Sequence, residues 1–334
     1  MALGSSHSSS TLPLPALDVL IAGAGIMGLS LALELHSRGT RVLVFERDTA
    51  LRHASFAAAG MLAANDPHNP PALLPLSQLS TSLYPGYLHR IEQLSGIAVP
   101  FQTDTTLQYQ SSGNRLRLDE HSIDPRQLAT ALLAAVRAAG IEIRELCEFH
   151  PSTEPSEQTI VYTTGAWLPA ELNQALPLRP RKGQMLRVQL PPSLKNLCEV
   201  HRSDAVYIVP RTLGPQAGTA IIGSTVEDAG FDTATHPRDL LHLRTLASEL
   251  LPALASESVA PQIEAWAGLR PHLPDGLPAL GPLQPGSHHF IATGHFRNGI
   301  LLAPATAVLL ADLITGKTTA LDLTPFSPAR FSQS

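Results

Sequence analysis

The first chemical signal in this sequence is a run of glycines near the start, Gly23-Ala-Gly25-Ile-Met-Gly28. It follows Val19-Leu-Ile21, a short apolar stretch of strand type. It precedes Leu29 to Arg38, a helix-forming stretch with a natural stop at Gly39. In such a turn the first glycine permits the tight bend. The second lets a diphosphate approach the backbone, and the third lets helix and strand pack closely. Ile26 and Met27 belong to the same backbone cradle, whose N–H groups and positive helix end favour an anion. Glu46 lies 18 residues past Gly28, at the end of a second strand, Arg41 to Glu46. A carboxylate there accepts hydrogen bonds from a ribose diol and repels a 2′-phosphate. The pattern predicts a bound dinucleotide other than NADP, and by itself leaves FAD and NAD open.

These residues need a scaffold, and the chain can supply one. Its 334 residues suggest two domains, or one large domain with an insertion. With 44% hydrophobic and 15% charged residues, a real core is expected and wholesale disorder is excluded. A net charge of −5 with no long basic run argues against nucleic acid. Two cysteines, Cys147 and Cys198, make neither a disulfide framework nor a zinc cluster, so a reduced, cytoplasmic setting is the default. Residues 1–16 are Ser-rich without a basic region and read as a flexible leader. The longest apolar run, Gly299 to Ile314, contains Pro304 and Asp312 and is too short to span a bilayer.

Further along, residues 65–80 read as loop and Leu83 to Leu94 as a helix. A helix is expected from Asp124-Pro125 to about Ala139, then strands at Ile141–Ile143 and Gln158–Thr163. Residues 180–231 alternate short strands with Gly and Pro, as in an antiparallel sheet. Pro237–Leu251 and Gly299–Thr315 read as helices. The fold class expected is α/β: a Rossmann-like dinucleotide domain interrupted by a mainly antiparallel second domain. The first is assigned residues 17–80, 115–178 and 268–325, and the second residues 81–114 and 179–267.

The later motifs decide the cofactor. Glu46-Arg47 is followed by Ala54-Ser55 and then Ala58-Ala59-Gly60-Met61, small residues that let backbone lie against a flat ligand. Near the end come Trp266-Ala-Gly-Leu-Arg270-Pro271, Asp275-Gly276-Leu-Pro278 and Gly294-His-Phe-Arg297-Asn298-Gly299-Ile-Leu-Leu-Ala-Pro304. Together, over residues 17–320, these resemble the FAD-dependent D-amino-acid oxidase superfamily, with closest likeness to its glycine oxidase (ThiO-type) branch.

The resemblance implies noncovalent FAD, its diphosphate at Gly23, Gly25 and Gly28 and its ribose on Glu46. Arg47, Ala54, Ser55, Ala59, Gly60, Met61 and Gly165 join the cofactor site. Asn298, Gly299, Ile300 and Leu301 begin the last helix, whose N-terminus favours negative charge on a reduced flavin. Arg270 is implied as the clamp on the substrate carboxylate, a role that suits a guanidinium fork. Arg297 is implied as a second active-site arginine and Tyr207 as a substrate contact, and both arginines also border the cofactor. The implied reaction oxidises glycine or another small amino acid or amine to the imine, and then the 2-oxo acid and ammonia. Oxygen becomes hydrogen peroxide, and thiamine biosynthesis is a candidate pathway. An FAD dehydrogenase using another electron acceptor, and a noncatalytic FAD-binding partner subunit, stay open as alternatives. An NAD-dependent dehydrogenase is the weakest option, since it leaves the Gly294–Gly299 motif without a purpose. A homo-oligomer is also left open.

Other residues read as supporting ones. His295 is expected to be structural, Cys147 and Cys198 inert, and Lys182, Arg202 and Arg211 at the rim or in salt bridges. No metal-ligand spacing is present. Relative to the family, the stretches Leu107–Asp119 and Gly140–Gly165 look short. The second leaves no nameable adenine contact, and the first would widen the substrate entrance. Val226 stands where the branch can carry methionine.

Overall fold

The computed structural model describes residues 18–150, 158–173 and 175–331. The expected leader, residues 1–16, lies outside the described residues. In chain order the strands are β1 Val19–Ala22, β2 Val42–Phe45, β3 Phe101–Tyr109, β4 Arg115–Ile123, β5 Glu142–Arg144, β6 Thr159–Tyr162 and β7 Arg179–Gln189. They continue with β8 Val200–Arg202, β9 Tyr207–Arg211, β10 Thr219–Gly223, β11 Gln262–His272, β12 Ala279–Pro282 and β13 His289–Thr293. The helices are α1 Ile26–Ser37, α2 Ala54–Ala57, α3 Leu74–Ser95, α4 Pro125–Ala138, α5 Ala170–Asn173, α6 Pro237–Leu250 and α7 Gly299–Ile314.

Two sheets result. The first has the order β12-β13-β6-β1-β2-β5, parallel except for the β12–β13 pair. Its central strands β1, β2 and β6 are short and mostly apolar on both sides, as a doubly covered parallel sheet requires, while β5 at the edge carries the exposed Glu142 and Arg144. Val19, Ile21, Val42, Val44 and Val161 face the core built with α1, α3, α4 and α7. Leu20, Ala22, Leu43, Phe45, Ile160 and Tyr162 face a second layer with Leu176, Leu178 and Leu273. The second sheet, β11-β7-β10-β9-β8-β3-β4, is antiparallel except for β3–β8. One of its faces (Leu186, Val188, Ile208, Ile222) packs on Leu243 and Ala247 of α6. The other (Met185, Val209, Ile221) meets Ala57 and Ala59 from the first unit. That second contact is where the cavity forms.

The expected α/β class and the interrupted dinucleotide unit match this architecture, and three local expectations change. Residues 65–80 are not loop throughout: α3 begins at Leu74 and runs through Pro85. Its prolines and serines hid a helix whose buried face (Leu76, Ser80, Tyr84, Leu88, Ile91) is set by its neighbours. α3 packs on α4 and α7 in the first unit, although residues 81–114 were assigned to the second. Conversely, β4 and the end of β11 belong to the second sheet, which continues to His272, past the expected boundary at residue 268. Long-range pairing decides these boundaries, so local pattern misplaces them. The short 107–119 stretch is a plain hairpin, in which Gln110 N–H bonds the Asn114 carbonyl at 2.9 Å.

α7 carries Pro304 inside it, and a proline there supplies no N–H to the carbonyl four residues back. That carbonyl, Ile300 O, accepts instead from the buried Tyr84 hydroxyl at 2.5 Å. Ser80 Oγ donates to Leu301 O at 2.6 Å and accepts from Ala305 N at 3.2 Å. With its preceding turn, α7 is long and apolar enough by composition to cross a membrane, but here it is mostly buried between α1 and α3.

Candidate active site

The site is a cavity of about 1130 Å³ between the two units. That exceeds the usual range for one small ligand, about 300–1,000 Å³, and suits a dinucleotide with a substrate beside it. At one end lies the glycine turn. Gly23 has φ +108°, and a Cβ on it would sit 2.6 Å from Thr163 O. A Cβ on Gly28 would sit 1.9 Å from Gly23 O and 2.6 Å from Thr163 Oγ1, so the third glycine is needed for packing α1 against the strand ends. Gly25 differs: its Cβ would meet only Ser55 Oγ at 3.5 Å, and it lines the cavity. It leaves open the space a diphosphate needs.

Glu46 fixes this turn while facing the cavity. Its carboxylate accepts from Ala24 N at 2.8 Å and from Asp48 N at 3.0 Å. Ser55 Oγ accepts from Ile26 N at 3.0 Å at the start of α1. Beside Glu46, the Arg47 guanidinium stands 4.2 Å over the Trp167 ring, and Phe231 stacks on that ring at 5.5 Å. Glu148, Phe149 and His150, from the segment after β5, also line the cavity. Trp167 stands in the Thr-Gly-Ala-Trp stretch and was quoted only as the end of a strand. Its pairing with Arg47 and Phe231 joins distant segments and left no local signal.

At the other end, Arg270 on β11 lies over Gly183 of β7. A Cβ at Gly183 would come within 2.1 Å of the guanidinium. Nη2 donates to Ser224 Oγ at 2.6 Å and Nη1 to Thr225 O at 3.2 Å. Among the described residues no carboxylate lies within ion-pair distance of Arg270. Burial pulls its pKa below the ordinary guanidinium range, opposed by Tyr207, which stands on β9 and also faces the cavity. A buried cation without a counter-ion is costly, and it is a ready partner for an incoming carboxylate.

Arg297 lines the same cavity but is already engaged. It lies 3.3 Å from Asp66 Oδ1 and donates to Asn69 Oδ1 at 3.3 Å. Burial pushes the Asp66 pKa up, but Arg202 and Arg297 more than offset it, and the carboxyl is held below its usual range. Asn298 Nδ2 donates to Asn69 Oδ1 at 2.9 Å and does not cap α7. The first N–H groups of that helix thus have no side-chain cap, and Gly299 and Ile300 line the cavity.

Of the expected cofactor residues, Gly23, Gly25, Ile26, Met27, Glu46, Arg47, Ala54, Ser55, Ala59, Gly60, Met61, Gly165, Asn298, Gly299 and Ile300 line the cavity. Gly28 and Leu301 do not: the first packs under the turn, and Leu301 is buried in the α1–α3–α7 core. Of the two expectations for Arg202 and Lys182, rim or salt bridge, the structure shows the salt bridges. Arg202 is buried in the cavity wall, 3.4 Å from Asp66 and 3.2 Å from Glu120. Lys182 is fully buried, with Nζ donating to Asp232 at 2.6 Å. Arg211 is also buried, donating to Ala59 O at 2.8 Å, and burial lowers its pKa to about 10. His295 bonds Thr306 Oγ1 at 3.2 Å, and burial drives its pKa down to about 3, so it stays neutral and structural. Among the described residues no group of three or more His, Cys, Asp or Glu could hold a metal.

The residues present fit FAD. Residues at the N-termini of α1 and α7 line one large cavity, the Glu46 carboxylate borders it beside the glycine turn, and Gly25 keeps clear the space a side chain would fill. Comparison with known proteins agrees. The family model for FAD dependent oxidoreductases (DAO) matches residues 18–121 and 115–313, and the chain belongs to that family. Within it, the chain is 30% identical to glycine oxidase of Pseudomonas aeruginosa, over 93% of this chain and 98% of that protein. It is 33% identical to the bifunctional protein ThiO/ThiG of Trichormus variabilis, over 95% of this chain and 55% of that protein. The chain thus spans about half the length of that bifunctional relative. The crystal structure of glycine oxidase from Geobacillus kaustophilus superimposes with a TM-score of 0.85 at 29% identity, covering 94% of this chain and 98% of that one.

Proposed function

We propose that the protein oxidises the C–N bond of glycine or another small amino acid or amine, with noncovalently held FAD and with oxygen as the final acceptor. The observation that carries this reading is Arg270, a buried guanidinium facing the cavity with no carboxylate among the described residues within ion-pair distance. FAD, held by the residues at the glycine turn and the start of α7, would supply the acceptor for the hydride that leaves the substrate α-carbon. The protein's share is orientation and electrostatics. Arg270 holds the substrate carboxylate through its N–H edge, and Tyr207 borders the same space. The Arg270 guanidinium disfavours an ammonium beside it and so helps the amine shed its proton. The uncapped start of α7 favours the negative charge that reduction brings. His295 is held neutral and bonded to Thr306, so it is not assigned an acid or base role.

The imine formed first either hydrolyses to the 2-oxo acid and ammonia or is consumed in thiamine biosynthesis, the pathway suggested by the ThiO-type likeness. The test is the anaerobic visible spectrum of the purified protein before and after glycine. Bleaching of the flavin band, followed by oxygen uptake on aeration, supports the oxidase. Bleaching without oxygen uptake turns the reading to a dehydrogenase. An unchanged spectrum removes glycine as the substrate.

A further inference from the structure

Two acceptors that hold Arg270, Ser224 Oγ and Thr225 O, lie on the segment that leaves β10, while the Tyr207 side chain meets the same guanidinium from β9. That segment is tied to β7 by a bridge between Lys182 and Glu227, with N–H···O distances of 3.0 and 2.9 Å. On β7, Lys182 and Gln184 flank Gly183. By strand alternation they project to the face opposite the one Arg270 covers. Both are fully buried.

Each grips the segment from behind. Gln184 N donates to Thr225 Oγ1 at 2.8 Å, and Gln184 Nε2 donates to Glu227 Oε1 at 2.9 Å and Asp239 Oδ2 at 2.7 Å. Its Oε1 accepts from His236 N at 2.6 Å. The Thr225 hydroxyl donates to the Glu227 carboxylate. Lys182 Nζ donates to Asp232 Oδ2 at 2.6 Å and stands 3.7 Å from Glu227 Oε2 and 3.4 Å from His236 Nε2. A buried ammonium and amide gathered on one short segment are costly to assemble, and they rigidify what they hold once satisfied.

We propose that Lys182, Gln184 and Glu227 are positioning residues that act through Arg270. They fix residues 224–227 so that Ser224 and Thr225 engage one side of the guanidinium and leave its remaining N–H groups aimed at the substrate carboxylate. This rests on the reading of Arg270 as the carboxylate clamp. None of the three lines the cavity, so their removal loosens the clamp and leaves the cofactor end intact.

The test uses the FAD-loaded protein and its Lys182→Met and Glu227→Gln variants. Acetate, a carboxylate without an amine, is titrated against the visible spectrum of the bound flavin, and KM and kcat are measured for glycine. Both variants are expected to keep their flavin, to bind acetate about tenfold more weakly and to raise KM for glycine more than they lower kcat. Acetate affinity within twofold of the parent in both variants overturns the proposal. Should Lys182→Met fail to fold, the near-isosteric Glu227→Gln decides, and loss of flavin from that variant also overturns it. If the parent protein neither binds acetate nor is reduced by glycine, the clamp itself is wrong. If the parent binds acetate and the variants bind it equally well, only the positioning role falls.

Discussion

Arg270 and Arg297 face one cavity, yet among the described residues only Arg297 has a carboxylate, Asp66, within ion-pair distance. On the proposed function, Arg270 is therefore the charge a carboxylate substrate meets. Arg270→Lys keeps the charge but loses the planar fork and its grip on Ser224 and Thr225. Breaking a buried charged pair costs about 2–5 kcal/mol, and each 1.4 kcal/mol is about tenfold, so KM for glycine should rise roughly 100-fold. Steady-state kinetics at saturating oxygen checks this, and an unchanged KM would remove the clamp. His295 gives a pH prediction. Burial holds its pKa near 3, well below the ~6.5 of an unfolded histidine. The unfolded chain therefore takes up a proton that the folded one refuses, and stability falls as pH drops from about 6.5 toward 3. The loss should be on the order of 2 kcal/mol by pH 5. Urea unfolding at pH 7 and pH 5 measures the slope, and His295→Gln should flatten it. Arg270 was legible because Gly-Leu-Arg-Pro is a local motif. The engagement of Arg297 was not, because Asp66 and Asn69 reach it from more than 200 residues away.

Among elements, the glycine turn and the last helix offer clean contrasts. Gly25→Ala meets only a flexible serine hydroxyl and should fold, with weakened FAD binding. Gly28→Ala drives a methyl into backbone and Thr163 and should fail to fold or to retain cofactor. Flavin content and circular dichroism of the two variants separate these outcomes, and equal behaviour would dissolve the distinction between ligand glycine and packing glycine. Tyr84→Phe removes the donor that replaces the missing Pro304 N–H at Ile300 O. Leaving that buried carbonyl unsatisfied should cost about 1–3 kcal/mol, read by urea unfolding. The βαβ unit at residues 19–45 was readable because strand, turn and helix are contiguous and each has its own stop signal. α3 was not readable to its true start, because Pro75, Pro85 and several serines dilute the helical pattern, and its tie to α7 through Ser80 and Tyr84 is tertiary. The second sheet was recognisable as antiparallel, but the parallel β3–β8 pair has no local signature.

For the whole molecule, the cavity is a seam between two units. Trp266 Nε1 donates to Ala57 O at 3.0 Å, and Arg126 lies between the Phe56 and Trp266 rings while pairing with Glu264 at 2.5 Å. A ligand filling that seam touches both units, so its binding free energy adds to the stability of the assembly. Added FAD should raise the melting temperature of flavin-free protein in a concentration-dependent way, by mass action on the folded state. Acid precipitation should release all flavin into the supernatant. Flavin remaining with the precipitate would contradict noncovalent attachment.

The position of α7 has a consequence for how the chain is made. Its partners α1 and α3 emerge early from the ribosome, whereas Leu301, Leu302, Leu309 and Leu310, which fill the space between them, arrive after about nine-tenths of the chain. At roughly 5–20 residues per second, the nascent first unit spends many seconds with its inner apolar surface uncovered. Chains stalled before Gly299 should accordingly be captured by chaperones and be sensitive to proteases. Synthesis through Ile314 should bring protection in a single step rather than gradually.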